Sequence, residues 1–320
     1  MKELLLIDEP TVATLLSLEE AMRAVEEGFV AHTSGRGRLF PVVKEKYSDL
    51  GSFSLKSGVM TEPHTVGVKA AGSWRGNPAR GLPTVQATVV LVDPETGEPI
   101  AIIAGKTLTT LRTGAAGGVA ARVLAREDAR TLAVVGTGVQ GEIQVEAALV
   151  ARPGVEEIRY CSPVAPVPER FKERFSGRAR LVPCGSPAEA ARGAHIVITG
   201  TPSAEPLLDL ADVDPGTHVT AVGADAKGKR EIGPGLLAAA SRFVDSAEQA
   251  RSIGEHQHAP ELAVTEIGTL IEAGGSYRRR PDEITLFDST GVAFQDLAAA
   301  RRVYDLAVAR GAGRRVPWPT

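Results

Sequence analysis

The stretch Thr131-Leu132-Ala133-Val134-Val135-Gly136-Thr137-Gly138-Val139-Gln140-Gly141 decides how this chain folds. It begins as an apolar run of strand length and passes directly into G-x-G-x-x-G, after which a helical pattern continues to about Ala151. A bare G-x-G-x-x-G is a weak signal, but between a buried strand and a helix each glycine has a mechanical reason. Gly136 permits the tight turn, Gly138 lets a pyrophosphate approach the backbone, and Gly141 lets the helix lie close to the strand. The helix N-terminus then offers unpaired N–H groups to the phosphates. The bland alternative is a glycine-rich strand-to-helix turn without ligand.

Outward from this turn, strands alternate with helices, as in parallel βαβ units. Strands are expected at Thr131–Val135, Glu157–Cys161, Ala179–Val182, His195–Thr199, His218–Val222, Arg242–Val244 and Ile284–Phe287. Helices are expected at about Gln140–Ala151, Pro168–Phe175, Pro187–Arg192, Pro234–Ala240 and Glu261–Ala273. Seven strands in this order fit one open, doubly wound parallel sheet of Rossmann type. Before it, Gly114 to Ala125 is built of small residues and reads as a buried connecting helix. The N-terminal third reads as α+β: a strand at Leu4–Ile7, a helix capped by Ser17 and Glu20 and running to about His32, and a strand-rich stretch from Phe40 to Val92. The turn at Asp93–Gly97 makes a hairpin of Thr84–Val92 and Ile100–Ala104. A C-terminal helix, Ala293 to about Arg310, is expected to pack back on that first domain, with Pro317-Trp318-Pro319-Thr320 trailing. The expected division is residues 1–112 with 293–320 as a substrate-binding and dimerisation domain, and 113–292 as the dinucleotide-binding domain.

With 320 residues, 43% hydrophobic and 23% charged, the chain has the balance of a globular protein with a sizeable core. A net charge of −3 supplies no basic face for nucleic acid or an anionic membrane. No apolar run is long enough to span a bilayer. The N-terminus lacks the pattern of an export signal, and Cys161 and Cys184 are too few for a disulfide framework, so a cytoplasmic location is expected. The Rossmann fingerprint also calls for an acid at the end of the second strand, to accept the ribose 2′-hydroxyl. Here that strand ends Tyr160-Cys161-Ser162. The missing carboxylate tilts the expectation for NAD(P)(H) towards NADP(H), with Arg170 and Lys172 the nearest cations.

Three charges stand in apolar or small-residue settings. Lys69, in Val66-Gly67-Val68-Lys69-Ala70-Ala71-Gly72, either titrates in a catalytic range or snorkels from an edge strand. Arg112, in Leu111-Arg112-Thr113-Gly114, suits a bidentate contact with a carboxylate or phosphate, or an ordinary salt bridge. Asp225 follows the strand His218–Val222, at the end where doubly wound sheets bind ligands, and is a candidate acid/base or a helix cap. His256-Gln257-His258 lacks the further ligands that a zinc site needs, and no metal site is expected. No G-x-S-x-G elbow supports serine hydrolase chemistry.

Taken together, several ordered motifs resemble the ornithine cyclodeaminase/μ-crystallin family over nearly the whole chain. They are Val68-Lys69, Gly81-Leu82-Pro83-Thr84, Asp93-Pro94-Glu95-Thr96-Gly97, Leu111-Arg112-Thr113-Gly114-Ala115-Ala116, Gly136-Thr137-Gly138-Val139-Gln140, Val222-Gly223-Ala224-Asp225 and Phe287-Asp288-Ser289-Thr290-Gly291. The resemblance implies a homodimer built through the N-terminal domain, and a Rossmann domain carrying NAD(P). It implies that Lys69 contacts the substrate and moves a proton, and that Asp225 is the acid/base near the amine-bearing carbon. Arg112 and Thr84 would lie against the cofactor or the substrate carboxylate. Val139, Gln140, Ser162, Thr201, Gly223, Lys229 and Thr290 would line the cofactor beside Gly136, Gly138 and Gly141. Two departures bear on the substrate. Lys56-Ser57 stands where many members carry Met-Pro, and the usual arginine after the Pro41 region is absent. Lys44, Lys46 or Lys56 would then bind the substrate carboxylate, and no acid near Ser52–Lys56 awaits the distal ammonium of ornithine.

These features predict an oxidoreductase exchanging hydride with the α-carbon of a small amino or imino acid, such as a ketimine or pyrroline-2-carboxylate reductase or an alanine dehydrogenase. The alternatives are ornithine cyclodeaminase itself, a lyase using catalytic NAD, and a crystallin-like protein that binds cofactor with little turnover.

Overall fold

The computed structural model describes residues 2–319 apart from Pro63, Val164, Ser276 and Arg278. Thr320, placed by the sequence in a trailing tail, lies outside the described residues. The first part of the chain runs β1 (Lys2–Ile7), α1 (Glu9–Leu15), α2 (Leu18–Thr33), β2 (Gly37–Leu39), β3 (Val43–Ser48), β4 (Gly51–Thr61), β5 (His64–Trp74), β6 (Val85–Val92), β7 (Pro99–Ala104) and α3 (Gly105–Leu124). Then follow β8 (Thr131–Val135), α4 (Val139–Ala151), β9 (Glu157–Cys161), α5 (Glu169–Phe175), β10 (Arg180–Pro183), α6 (Pro187–Ala191), β11 (Ile196–Thr199) and β12 (His218–Ala221). The remainder is α7 (Pro234–Ala239), β13 (Ser241–Val244), α8 (Ala247–Ile253), β14 (Thr265–Glu266), α9 (Ile267–Glu272), β15 (Thr285–Asp288), α10 (Ala293–Arg310) and β16 (Arg314–Trp318). The chain divides into two units, Met1–Arg112 with Val292–Thr320, and Thr113–Gly291.

The first unit is a sheet in the order β16-β1-β7-β6-β5-β4-β2, with β3 paired to β4. Alternation along each strand assigns its faces. Val89 and Leu91 of β6 and Ala101 and Ile103 of β7 are fully buried, while the intervening Val90 and Ile102 are half-buried. The buried face receives α10: a Cβ on Gly67 would meet Leu297 Cδ2 at 2.9 Å. Helix α2 packs on α10 as closely, because a side chain at Gly28 would meet the carbonyl of Phe294 at 2.9 Å. Ser17 caps α2 by accepting from the Glu20 N–H at 3.2 Å. The Glu20 carboxylate does not complete the expected box but turns to Arg302 of α10, 2.6 Å away.

The expected trailing C-terminus is instead a strand. β16 pairs antiparallel with β1, whose other edge is taken by β7. An uncovered edge at β1 would leave a row of unpaired backbone groups, and the returning chain covers it. Gly311 and Gly313, at φ +62° and +84°, make that return. The helix α1 also lies outside the expected pattern; Asp8 caps it by accepting from the Thr11 N–H at 2.9 Å.

The second unit is a parallel sheet in the order β10-β9-β8-β11-β12-β15-β13-β14. Its first five strands follow the doubly wound order, with the direction of winding reversing between β8 and β11. The sheet holds eight strands where seven were expected. The extra one, β14, is two polar residues at the edge and carries no apolar run to mark it. It also truncates the helix expected over Glu261–Ala273 to Ile267–Glu272. Within this unit the small residues of α3 serve close packing against α4: a Cβ on Gly114 would meet Ile143 Cγ1 at 2.5 Å. The helix itself starts nine residues before the expected Gly114, at Gly105.

Candidate active site

In the first unit the charges that the sequence singled out form one buried cluster. Lys69, mid-strand in β5, is 3% exposed, and Arg112 of α3 is 7% exposed. Both meet Asp296 in the first turn of α10, a residue that the sequence reading passed over. Lys69 Nζ donates to Asp296 Oδ1 over 2.7 Å, and Arg112 Nε lies 2.8 Å from the same oxygen as an ion pair. Arg112 Nη1 donates to Gln295 Oε1 over 2.6 Å. Asp296 and Gln295 are fully buried, and Asp296 Oδ2 has no hydrogen-bond partner among the described residues.

Electrostatics follow from this geometry. Burial pushes the Lys69 pKa down to about 7; Asp296 opposes that fall, while Arg112 and Lys56 add to it. Burial acts to raise the Asp296 pKa, but Arg112 and Lys69 outweigh it and hold the carboxyl below its usual range. Lys56 of β4 stands directly opposite Lys69 in the strand register, and Lys44 of β3 stands opposite Ser54. Lys56 is half-buried and Lys44 is exposed. Thr84, just before β6, is exposed, and its carbonyl accepts from the Trp74 N–H at 2.8 Å.

In the second unit the glycine turn sits at the winding switch of the sheet. Gly136, at φ +100°, leaves β8, and a Cβ there would stand 2.5 Å from the Gly200 carbonyl at the end of β11. A Cβ on Gly141 would overlap the Gly136 carbonyl, whereas Gly138 has open space at its Cβ position. Gly138 caps α4 without any side-chain hydrogen bond, and the buried Thr137 Oγ1 and Gln140 Oε1 have no hydrogen-bond partner among the described residues. An open glycine at a helix N-terminus, flanked by buried polar atoms, fits a dinucleotide pyrophosphate. Val139 is 49% exposed at the start of that helix.

The other predicted cofactor positions occupy strand ends in the same unit, several with polar groups already engaged. Ser162 Oγ donates to the Ala165 carbonyl over 2.5 Å. Arg170 pairs with Glu142 at 2.6 Å and Lys172 with Glu169 at 2.9 Å. Glu231, a second residue missed from sequence, is fully buried. It accepts from Thr199 Oγ1 at 2.8 Å, Thr201 N at 2.6 Å, Thr201 Oγ1 at 2.8 Å and Gly223 N at 2.8 Å. It thereby fixes the ends of β11 and β12. Asp225 follows β12 and is exposed, paired with Lys229 at 2.6 Å. Thr290 Oγ1 donates to the buried Asp245 over 2.7 Å.

His256 and His258 play local parts. His256 Nδ1 lies 2.8 Å from Asp288 Oδ2, and His258 Nε2 lies 3.0 Å from the Lys229 carbonyl. Among the described residues no group of three or more His, Cys, Asp or Glu side chains is arranged to hold a metal ion, and no helix is long and apolar enough to cross a membrane.

A doubly wound parallel sheet with its glycine turn at the winding switch, joined in one chain to an antiparallel unit with a buried Lys–Asp–Arg cluster, defines a Rossmann-type α/β protein. The chain belongs to the ornithine cyclodeaminase/mu-crystallin family, whose sequence profile matches residues 3–311. Alanine dehydrogenase of Archaeoglobus fulgidus is 35% identical over 321 residues, covering 98% of each chain. A solved archaeal alanine dehydrogenase dimer with bound NAD shares the fold at a TM-score of 0.92 and 34% identity, over 99% of this chain and 100% of that one. The iminosuccinate reductase of Paracoccus denitrificans, solved with NAD+, gives a TM-score of 0.92 and 33% identity over the same shares. The Thermococcus litoralis Δ1-pyrroline-2-carboxylate reductase, solved with NADH and L-proline, gives 0.90 and 27% identity, over 98% of this chain and 100% of that one.

Proposed function

We propose that this chain is an NAD(P)-dependent oxidoreductase interconverting a small α-imino acid and the corresponding α-amino acid. The observation that carries the reading is the buried cluster in which two cations, Lys69 and Arg112, share one carboxylate oxygen of Asp296. Buried charges are tolerated when they are balanced, and this cluster holds more positive than negative charge. The carboxylate of an α-imino or α-amino acid supplies the missing anion, and Arg112 presents the planar fork suited to it.

When bound, the nicotinamide supplies the electron pair: imine, NAD(P)H and one proton give amine and NAD(P)+. The remaining work falls to this chain. Lys69, titrating near neutrality, gives a proton to the substrate or takes one back with little cost at physiological pH. Asp296 holds the Lys69 ammonium and Arg112 in place. Asp225, in the second unit, serves as the acid/base at the substrate nitrogen, with Lys229 holding its carboxylate. Gly136, Gly138 and Gly141 cradle the pyrophosphate, with Val139, Gln140, Ser162, Thr201, Gly223 and Thr290 around the rest of the dinucleotide.

Three of the solved relatives carry NAD+, NAD or NADH. No carboxylate ends β9 to repel a 2′-phosphate, yet Arg170 and Lys172 are already engaged by acids. We therefore place NAD(H) first, with NADP(H) accepted; the preference expected from the missing acid gains no cation to enforce it. By likeness to the NAD-bound dimer, we also propose that two copies associate through the first unit. The test is oxidation of NADH and NADPH in the presence of ammonia with oxaloacetate, 2-oxoglutarate or pyruvate, and with pyrroline-2-carboxylate. Consumption of reduced cofactor that depends on both imine and protein is expected. Cofactor binding with no turnover of any imine would refute the reading and favour the crystallin-like alternative.

A further inference from the structure

We infer that the substrate of this site carries a second carboxylate: a four- or five-carbon 2-imino dicarboxylic acid, or the amino diacid in the reverse direction, bound along Lys56 and Lys44. The inference rests on the reading above and names its substrate class.

Strand register places the argument. Side chains at alternate positions of a strand share a face, and directly opposed residues share it across strands. Lys69 opposes Lys56, Ser54 opposes Ala71, and Lys44 opposes Ser54, so Lys69, Lys56 and Lys44 lie on one face of β5, β4 and β3. Lys46 follows on the same face of β3 and is paired with Asp49 at 3.0 Å. The other residues of β3, β4 and β5 on this face are uncharged: Ser52, Ser54, Gly58 and Met60 of β4, and Thr65, Gly67, Ala71 and Ser73 of β5. The carboxylate that meets this face comes from α10, as Asp296.

The lysines form a graded track. Lys69 is buried, Lys56 is half-buried and Lys44 is exposed. Neighbouring strands are about 4.8 Å apart, so each step outward moves a cation by roughly the separation between the two carboxylates of a short diacid. Lys56 is close enough to Lys69 and Asp296 to affect the titration of both. A monocarboxylic imine occupies Arg112 and Lys69 and leaves Lys56 beside them with like charge. A dicarboxylic imine places its second anion against Lys56. A line of like charge from solvent to the interior also steers an anionic substrate inward. An ornithine-type substrate would bring a distal ammonium to the same cations and is disfavoured.

Two measurements decide it. Thermal unfolding of the protein without added nucleotide, at constant ionic strength, should show succinate and glutarate raising Tm more than propanoate and butanoate do. Lys56→Gln should abolish that difference and Lys56→Arg should restore part of it. In steady-state assays with ammonia, kcat/KM for oxaloacetate or 2-oxoglutarate should exceed that for pyruvate by about 100-fold. Lys56→Gln and the exposed Lys44→Gln should each compress that ratio, by about tenfold for Lys56. Equal use of the pyruvate imine, or a ratio unmoved by Lys56→Gln, overturns the inference while leaving the reductase reading intact. If no imine is turned over, the reductase reading falls, and the succinate-dependent Tm shift decides the diacid site alone.

Discussion

An ammonium that is 3% exposed has lost most of its hydration, and Lys69 keeps its proton only as far as Asp296 compensates. Removing that carboxylate while keeping its shape, in Asp296→Asn, should drive the Lys69 titration below 7, because the opposing charge is gone and Arg112 and Lys56 remain. The pH at which imine reduction declines should move down with it, and kcat/KM should fall by about 10²-fold or more. A profile that keeps its midpoint would contradict the pairing. The wild-type sign is fixed by the same titration: reduction, which needs the protonated lysine, should decline as pH rises through about 7, and amino acid oxidation should gain over the same interval. Lys69→Met should lose about 10²- to 10⁴-fold in turnover, and tight NADH binding, measured by titration, should persist in it. Lys69 and Arg112 were legible in the sequence because each interrupts an apolar or small-residue run. Asp296 carries the same signal in Ala293-Phe294-Gln295-Asp296-Leu297-Ala298 but pairs with residues more than 180 positions away, and no local pattern announces a partner at that separation. Glu231 sits among Lys229 and Arg230, where an acid looks like ordinary solvated surface.

At the scale of elements, the strands around the glycine turn were legible because buried parallel strands are short apolar runs bounded by turns. Those that escaped notice had no such contrast. β14 is two polar residues, α8 is a polar helix announced only by its Ser246 cap, and β16 forms because β1 has an edge to cover. The turn itself should be intolerant. Gly136→Ala adds a Cβ 2.5 Å from a carbonyl at a positive φ, and should cost about 1–3 kcal/mol in denaturant unfolding together with nucleotide affinity. A second element-scale expectation concerns β12. His218 is fully buried between Thr285 and Thr220, at 2.9 and 3.0 Å, and burial pushes its pKa down to about 3. The unfolded chain takes up that proton near 6.5, so the contribution of His218 is present above pH 6.5 and is lost as pH falls towards 3. Unfolding midpoints measured from pH 7 to 4 should fall less steeply in His218→Gln than in the wild type.

For the molecule as a whole, one face of the first sheet is committed to α10 and the other is not. Val59, Val66, Val68, Val90 and Ile102 share that second face and are only half-buried. Single apolar residues at a surface are unremarkable, but a contiguous β-branched face suits an interface between copies. Sedimentation should give a dimer, and Val68→Lys, placing a charge in the middle of that face, should yield monomer; a wild-type monomer would remove the proposed assembly. The class of the fold and the dinucleotide turn were open to reading because they depend on local periodicity. The substrate was not, because it depends on which charges three strands and a helix bring to one face. The most direct test of the whole account follows a label. NADH deuterated on C4 of the nicotinamide, incubated with the protein, ammonia and oxaloacetate, 2-oxoglutarate or pyruvate, should yield an amino acid with one deuterium on its α-carbon. Unlabelled amino acid, or no amino acid from any of the three, would contradict the assignment of this family member as an imino acid oxidoreductase.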